Sequence, residues 1–309
     1  MNSITTSIKN KLKNQMPRFF EKLRHTKSKL ALHWCARPVH SSGVTRHKRN
    51  SQLIVSLTSY PARIHLVEQT ICSLLHQSLR ADSIVLWLSE EQFPQKEGDL
   101  PKSLLLLKKY GLVIDWCDNL KSYKKLITAL QKYPDDIIVT ADDDIIYWPS
   151  WLTVLYKEHC RHPAAVIANR CHIITLDQQD IPVPYLQWNI CRNNQLPLYS
   201  NLIIGCGGVL YPPNSLYYPD ILNKSIFTNL APTADDVWFW AMAVLNGTPI
   251  MTCPKRNTAF TENPCVNQCD SLMVVNHNGG NDRQLRNVLE HYPQLKILLK
   301  EEWEQTQIP

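Results

Sequence analysis

From residue 52 to residue 141 the chain alternates short apolar runs with helical patterns, and this alternation narrows the possible folds more than any other feature. "LIVSLTSY" reads as a strand, and "ARIHLVEQTICSLLHQS" follows it with Ile64, Val67, Ile71, Leu74 and Leu75 on one helical face. "SIVLWLS", "LVIDW" and "DIIVTA" read as three further strands. Between them, "PKSLLLLKKYG" is a helix entered at Pro101 and left at Gly111, and "SYKKLITALQKY" is another. Strand–helix repetition of this kind builds a mostly parallel sheet with helices on both faces. Ligands of such sheets bind beyond the carboxyl ends of the strands. Residues 56–63, 89–90, 118–124 and 142–144 therefore gather on one rim.

The fourth strand runs into Asp142-Asp143-Asp144. Like charges side by side repel, so three carboxylates at a strand end call for a counter-charge, either basic side chains or a metal ion. Acids are also favoured at a helix N-terminus, and "YWPSWL" follows directly. Both readings fit the residues.

The second half is less regular. "AAVIANRCHII" and "GGVLYPP" read as strands, "DDVWFWAMAVLNG" as a helix ending at Gly247, and "SLMVVNH" as a late strand. "NDRQLRNVLEHYPQLKILLKEEW" is a terminal helical region broken near Pro293. Of nine glycines, three fall in Gly205-Cys206-Gly207-Gly208, where a positive φ or a close backbone approach is the usual cause.

Charge divides the chain. Residues 1–50 hold twelve Lys/Arg against the single acid Glu21, so that segment carries +11; against a whole-chain +6, the remainder carries −5. Residues 1–34 place Ile8, Leu12, Phe19, Leu23 and Leu30 at near-helical spacing among these cations. That pattern suits either a helix lying on an anionic membrane surface or a solvated basic extension. No nucleic-acid-binding motif accompanies it, and nucleic acid is not an expected partner. Residues 35–50 read as a linker, so the expected organisation is a basic extension over 1–50 and one catalytic domain over 51–300, with halves 51–146 and 147–300. No apolar run approaches the roughly 18–20 residues of a membrane span, and the basic N-terminus lacks a signal-peptide core. Ten cysteines without a CxxC pair support neither a zinc site nor a disulfide framework, and the expected location is cytoplasmic, with peripheral contact at the inner face of the membrane.

The strand running into Asp142-Asp143-Asp144, followed in order by "GCGGVLY", "ADDVWFW" and "NHNGGND", resembles the GT-A-fold glycosyltransferases with their Asp-x-Asp motif. "SLTSYPARI" with "NGGNDRQL" is similar to bacterial surface-polysaccharide and lipopolysaccharide transferases of that kind. The resemblance covers residues ~52–290. It implies an inverting enzyme that uses Mn2+ or Mg2+ and moves a sugar from a nucleotide-sugar donor, a UDP-sugar, to a glycan or lipid-linked acceptor. By the family pattern Asp144 ligates the metal, Asp142 faces the ribose or a metal-bound water, Asp143 touches the nucleotide, and His277 completes the metal site. Asp236 is the base that deprotonates the acceptor hydroxyl, and Asp235 contacts the acceptor, although acids there also suit a helix start. Ser56, Thr58, Tyr60 and Arg63 form the nucleotide floor. Lys121, Lys124 and Lys125 are candidates for diphosphate contact, or solvated helix charges, with Lys124 preferred. Gly207, Gly208 and Trp188 line the acceptor side. Two alternatives are a metal-dependent nucleotidyltransferase or phosphatase, and a non-enzymatic protein that binds glycan or nucleic acid. A sugar nucleotidyltransferase opens with a Gly-rich phosphate loop, and "SLTSYPARI" holds no glycine.

Overall fold

The computed structural model describes residues 26, 29–31, 33–47, 49–191, 196–253, 260–265 and 272–306. Four parallel strands come first: β1 (Leu53–Thr58), β2 (Ser83–Ser89), β3 (Leu112–Cys117) and β4 (Ile137–Ala141). Three more complete the main sheet: β6 (Val166–Ala168), β10 (Val209–Tyr211) and β11 (Ile250–Thr252). The order across the sheet is β11-β6-β10-β4-β1-β2-β3, and β10 alone runs antiparallel to its neighbours β4 and β6. Short strands β5 (Ile145–Tyr147) and β12 (Phe260–Glu262) pair with each other, and β7 (Cys171–Ile173), β8 (Asn189–Ile190) and β9 (Asn201–Ile203) form a small third sheet.

The period-2 alternation of the strands divides the core. Leu53, Val55 and Leu57 of β1 point to one face, where they meet Val67, Ile71 and Leu74 of α1 (Val67–Leu75), Leu104 of α2 (Lys102–Leu106), and Trp151 and Leu155 of α4 (Trp151–Arg161). Ile54, Val85 and Ile138 point to the other. There they meet Leu126 and Ile127 of α3 (Lys124–Lys132) and a second helical layer. That layer holds α5 (Tyr218–Ile221), α6 (Lys224–Leu230), α7 (Asp235–Leu245), α9 (Asn281–His291) and α10 (Gln294–Thr306). Helix α7 is buried almost all round, from Val237 to Val244, so its hydrophobic sequence makes it the centre of that layer.

Two elements differ from the sequence expectation. The stretch read as the strand "SLMVVNH" differs: Leu272–Val275 form a short helix, α8, with Val274 and Val275 exposed. Nor are residues 35–47 a free linker. Cys35 and Val39 are buried, Trp34 packs 6.1 Å from Trp148, and Val44 forms a parallel bridge to Ala81. Gly43 N–H donates to the Tyr110 carbonyl at 2.7 Å, and Arg49 pairs with Asp82. The apolar residues of this stretch cover the open side of the body instead of remaining in water. Residues 1–25, with Ile8, Leu12, Phe19 and Leu23 of the basic amphipathic pattern, lie outside the described residues. Among the described residues no helix is long and apolar enough to cross a membrane, and every cysteine is a free thiol.

Candidate active site

The carboxyl ends of β1 and β4 face the same rim as the start of α3, the turn before β10 and the start of α7. Asp142, Asp143 and Asp144 occupy the turn between β4 and β5, not a helix cap; the cap of α4 is Ser150. Backbone bonds hold that turn. Asp142 N–H donates to the Tyr147 hydroxyl at 2.9 Å, and the Thr70 hydroxyl donates to the carbonyls of Asp143 and Ile145 at 2.9 and 2.8 Å.

Each carboxylate of the turn has a different environment. Asp143 is buried and accepts from Ser59 Oγ at 2.6 Å and from Arg63 Nη1 at 2.9 Å. Asp144 accepts from the same Arg63 nitrogen at 3.0 Å, and Asp142 accepts from Lys125 Nζ at 2.7 Å. Burial would lower the Arg63 guanidinium, but Asp143 and Asp144 hold it above its ordinary value. Burial and the charges of Asp142 and Asp143 push the Asp144 carboxyl up to about 6 despite Arg63. The turn thus carries more negative charge than its cations neutralise.

The second acidic pair opens α7. Lys125 Nζ lies 3.2 Å from Asp235 Oδ2, so one buried ammonium joins the two clusters. Burial pulls the Lys125 ammonium down, yet Asp142, Asp235 and Asp236 hold it well above its ordinary value. Asp236 Oδ2 accepts from the Gly205 N–H at 3.0 Å. A Cβ on residue 205 would stand 2.7 Å from Asp236 Oδ1 and 3.3 Å from Lys125 Nζ, so any other residue there would displace the Asp236 carboxylate. Burial first, and then the charge of Asp235, push the Asp236 carboxyl up to about 7, against the opposing pull of Lys125.

Gln284, which sequence reasoning passed over, holds the start of α7. It is fully buried, and its Oε1 accepts from the N–H groups of Thr233 and Ala234 at 2.8 and 3.0 Å. Its Nε2 donates to Thr233 Oγ1 at 2.8 Å, and Asn276 Nδ2 donates to the Thr233 carbonyl at 2.9 Å. Asp282 accepts from the Tyr185 N–H at 2.7 Å. Asn276 and Gln284, at the two ends of "NHNGGNDRQ", therefore clamp the acidic helix start. Gln284 falls on the same helical face as Leu285, Val288 and Leu289, and a polar residue on an apolar face is the signal that could have marked it.

Several expected residues take other roles. Ser56 is fully buried within the sheet, donating to the Lys125 carbonyl and accepting from Trp87 Nε1 at 2.8 Å, so it is not part of a nucleotide floor. Thr58 Oγ1 donates to the Trp87 carbonyl at 2.8 Å, while Tyr60 lies beside the Arg63 guanidinium, 5.6 Å from its carbon. Asp143 is committed to Ser59 and Arg63 and anchors the β1 loop instead of facing a nucleotide. Lys124 is buried and donates to the Ser59 carbonyl at 3.2 Å; burial lowers its ammonium. It supports the loop from below, and its neighbour Lys125 is the one that reaches the acids. Trp188 is buried, with Nε1 donating to the Val183 carbonyl at 2.7 Å, so its face is not offered to a sugar. The Gly207 carbonyl accepts from Trp151 Nε1 at 2.8 Å, and Gly208, at φ +88°, passes so close to the Trp151 ring that a Cβ would overlap it. Those two glycines serve the packing of Trp151. His277 lies 5.7 Å from the Tyr185 ring, and the structure does not bring it together with the carboxylates of the turn.

Among the described residues no three His, Cys, Asp or Glu side chains gather into a closed metal cage. The turn does fit an ion held by one or two carboxylates and completed by water and phosphate oxygens, which is how Mg2+ is usually bound. Asp142 and Asp144 are its accessible members, their donors are all hard oxygens, and the negative charge around them is in excess.

No protein-family profile matches the sequence, and no curated protein matches it. Solved structures do match. A mannosyltransferase, PcManGT from Pyrobaculum calidifontis, in complex with GDP-Man and Mn2+, superposes with a TM-score of 0.51 at 12% identity, covering 90% of this chain and 75% of its own. A CMP:2-keto-3-deoxy-manno-octonic acid synthetase complexed with CTP matches more loosely, with a TM-score of 0.39 at 12% identity, over 66% of this chain and 90% of its own. The first likeness, together with the strand order, makes this a GT-A-like nucleotide-binding fold.

Proposed function

We propose that the protein is a metal-dependent, inverting glycosyltransferase that takes a sugar from a nucleotide-sugar donor. One observation carries the reading: two acidic clusters on the carboxyl rim of a GT-A-like sheet, joined by Lys125, one bearing uncompensated charge and the other a carboxyl that titrates near neutrality. Two such environments suit two tasks, holding a cation and holding a proton.

Asp142 and Asp144 would hold Mn2+ or Mg2+, which as a Lewis acid supplies neutralisation of the diphosphate leaving group. Arg63, 3.0 Å from Asp144, adds a fixed guanidinium on the same side. Asp236 takes the proton of the acceptor hydroxyl. That oxygen bonds to the anomeric carbon while the carbon–oxygen bond to the diphosphate breaks, and the bonding pair leaves with the diphosphate. A single displacement inverts the anomeric centre. Asp235 and Lys125 keep Asp236 in place and partly ionised.

The PcManGT complex, which holds GDP-Man and Mn2+, supports a nucleotide-sugar donor and a divalent ion for this fold. The acceptor would be a surface-polysaccharide glycan or its lipid-linked precursor, and the basic segment before residue 26 would hold the enzyme at an anionic leaflet. Removing residues 1–25 should then lower recovery with vesicles containing anionic lipid; unchanged recovery contradicts that step.

The test of the activity is release of nucleoside diphosphate from UDP- and GDP-sugars with Mn2+ and with EDTA. Metal-dependent release that Asp236→Asn abolishes supports the reading. Pyrophosphate release from CTP and a sugar, with no turnover of nucleotide-sugars, would make the protein a nucleotidyltransferase instead.

A further inference from the structure

Arg170 precedes β7 at the edge of the small sheet, where its carbonyl accepts from the Ile204 N–H at 3.0 Å. The next residue along, Gly205, is the one that donates to Asp236. Arg170 and Asp236 therefore flank the same turn. The arginine is half-buried, and no carboxylate or carbonyl among the described residues accepts from its guanidinium. The three cations packed beside the acidic turn are committed: Arg63 and Lys125 to carboxylates and Lys124 to the Ser59 carbonyl. Leaving a guanidinium partly desolvated and unpaired is costly, and a bound anion would remove that cost.

Beside Arg170 lies an aromatic wall whose polar atoms are also unmatched. The His172 ring stacks on Tyr185, 5.1 Å between centroids at 28°, and both of its nitrogens are buried without a hydrogen-bond partner. Burial and then the Arg170 charge pull that imidazole down to about 4, so it is a neutral ring whose one N–H and one lone pair lack a partner. Tyr185 is anchored by Asp282 through its N–H, and the exposed His277 ring lies 5.7 Å from it. Tyr185 is itself buried and backs the half-buried His172 and the exposed His277, so these two rings and the unpaired Arg170 are what a sugar that bears an acid would meet.

We propose that Arg170, His172 and His277, backed by Tyr185, form the acceptor subsite, and that it takes an acidic sugar whose carboxylate or phosphate pairs with Arg170 while a nearby hydroxyl reaches Asp236. This rests on the transferase reading above. A planar guanidinium binds either anion through two parallel hydrogen bonds, which fixes the sugar's orientation as well as its affinity.

The experiment is ligand-observed NMR titration of the full chain, in EDTA so that no divalent ion mediates, with methyl β-glucuronide, methyl β-glucoside 6-phosphate and methyl β-glucoside. One or both anionic probes should bind at least about tenfold tighter than the neutral one, the ratio expected for one charge-assisted contact. Arg170→Gln should erase that ratio and Arg170→Lys restore part of it, with the melting temperature and UDP–Mg2+ binding of both variants unchanged. Equal binding of all three probes overturns the proposal. So does an Arg170→Gln variant that loses UDP affinity and keeps the sugar preference, because Arg170 would then belong to the donor pocket. Failure of the transferase reading shows separately, as nucleotide-sugars that the wild-type protein neither binds nor consumes.

Discussion

Two acidic clusters face each other across one lysine, and their surroundings give the same side chain two different characters. In the turn after β4, Asp142 and Asp144 are partly exposed and meet two cations, Lys125 and Arg63, yet negative charge remains in excess. At the start of α7, Asp235 pairs with Lys125 and Asp236 accepts from one backbone N–H, among the buried Val237, Trp238 and Trp240. The second carboxyl consequently titrates near 7. A carboxylate surrounded by hard oxygen donors and excess charge attracts a cation. A carboxylate whose charge is penalised by burial keeps a proton within reach of neutral pH. The difference lies in the surroundings, because all five residues are aspartates.

Swapping the members of the comparison gives the largest effects. Asp236→Asn should lower turnover by about 10²–10⁴-fold, the usual contribution of a general base, with affinity for UDP–Mn2+ retained. Asp144→Asn should do the reverse first, weakening metal-dependent nucleotide binding before any chemistry is measured. Steady-state kinetics beside calorimetric titration separates the two; if both variants fail in the same way, the division of labour is wrong.

Removing the lysine that joins the clusters should cost nearly as much, but in stability. Lys125→Met leaves Asp142 and Asp235 without their ammonium, and breaking a buried pair on one side costs about 3–5 kcal/mol. Urea denaturation of the variant reads it, and Lys125→Arg should recover a part. A loss under 1 kcal/mol would mean that the ammonium is not shared.

The pH dependence follows from Asp236. Its carboxyl is raised to about 7, so below that pH it is protonated and cannot accept the acceptor's proton. kcat/KM should rise with pH to a plateau above about 7, and Asp236→Asn should flatten that limb. Stability runs the other way. The folded state holds this proton more tightly than the unfolded chain, so the contribution of Asp236 to stability is greatest in acid and is lost as pH rises through about 7.

The smallest effect belongs to the clamp behind the pair. Gln284→Leu leaves the N–H groups of Thr233 and Ala234 unpaired, at a cost of about 1–3 kcal/mol. It should lower the melting temperature and turnover together. Lost turnover at full stability would place Gln284 in direct contact with substrate.

The parallel half of the fold was legible because period-2 and period-3.6 patterns separate cleanly between residues 52 and 141, and because a strand end is where Asp142–Asp144 had to fall. Side-chain direction on that rim was not. Ser56 sits on the strand with its hydroxyl turned inward to Trp87, and Lys124 and Lys125, adjacent in sequence, point a helical step apart, one to the Ser59 carbonyl and one to the acids. "SLMVV" ends in two β-branched residues, yet Leu272–Val275 close as a helical turn with Val274 and Val275 exposed. Cys35 looked like linker because Ile146, which it packs with, lies more than a hundred residues away. Gln284 acts through contacts that only the folded chain creates.

The central claim is that the turn after β4 binds a hard divalent ion together with a nucleoside diphosphate. Isothermal titration of UDP and GDP into the protein, with Mn2+ and with EDTA, tests it most directly. One nucleotide should bind only with Mn2+, and Asp144→Asn should remove that binding while the protein stays folded. Equal affinity in EDTA, or undiminished Mn2+-dependent binding by the variant, would contradict it.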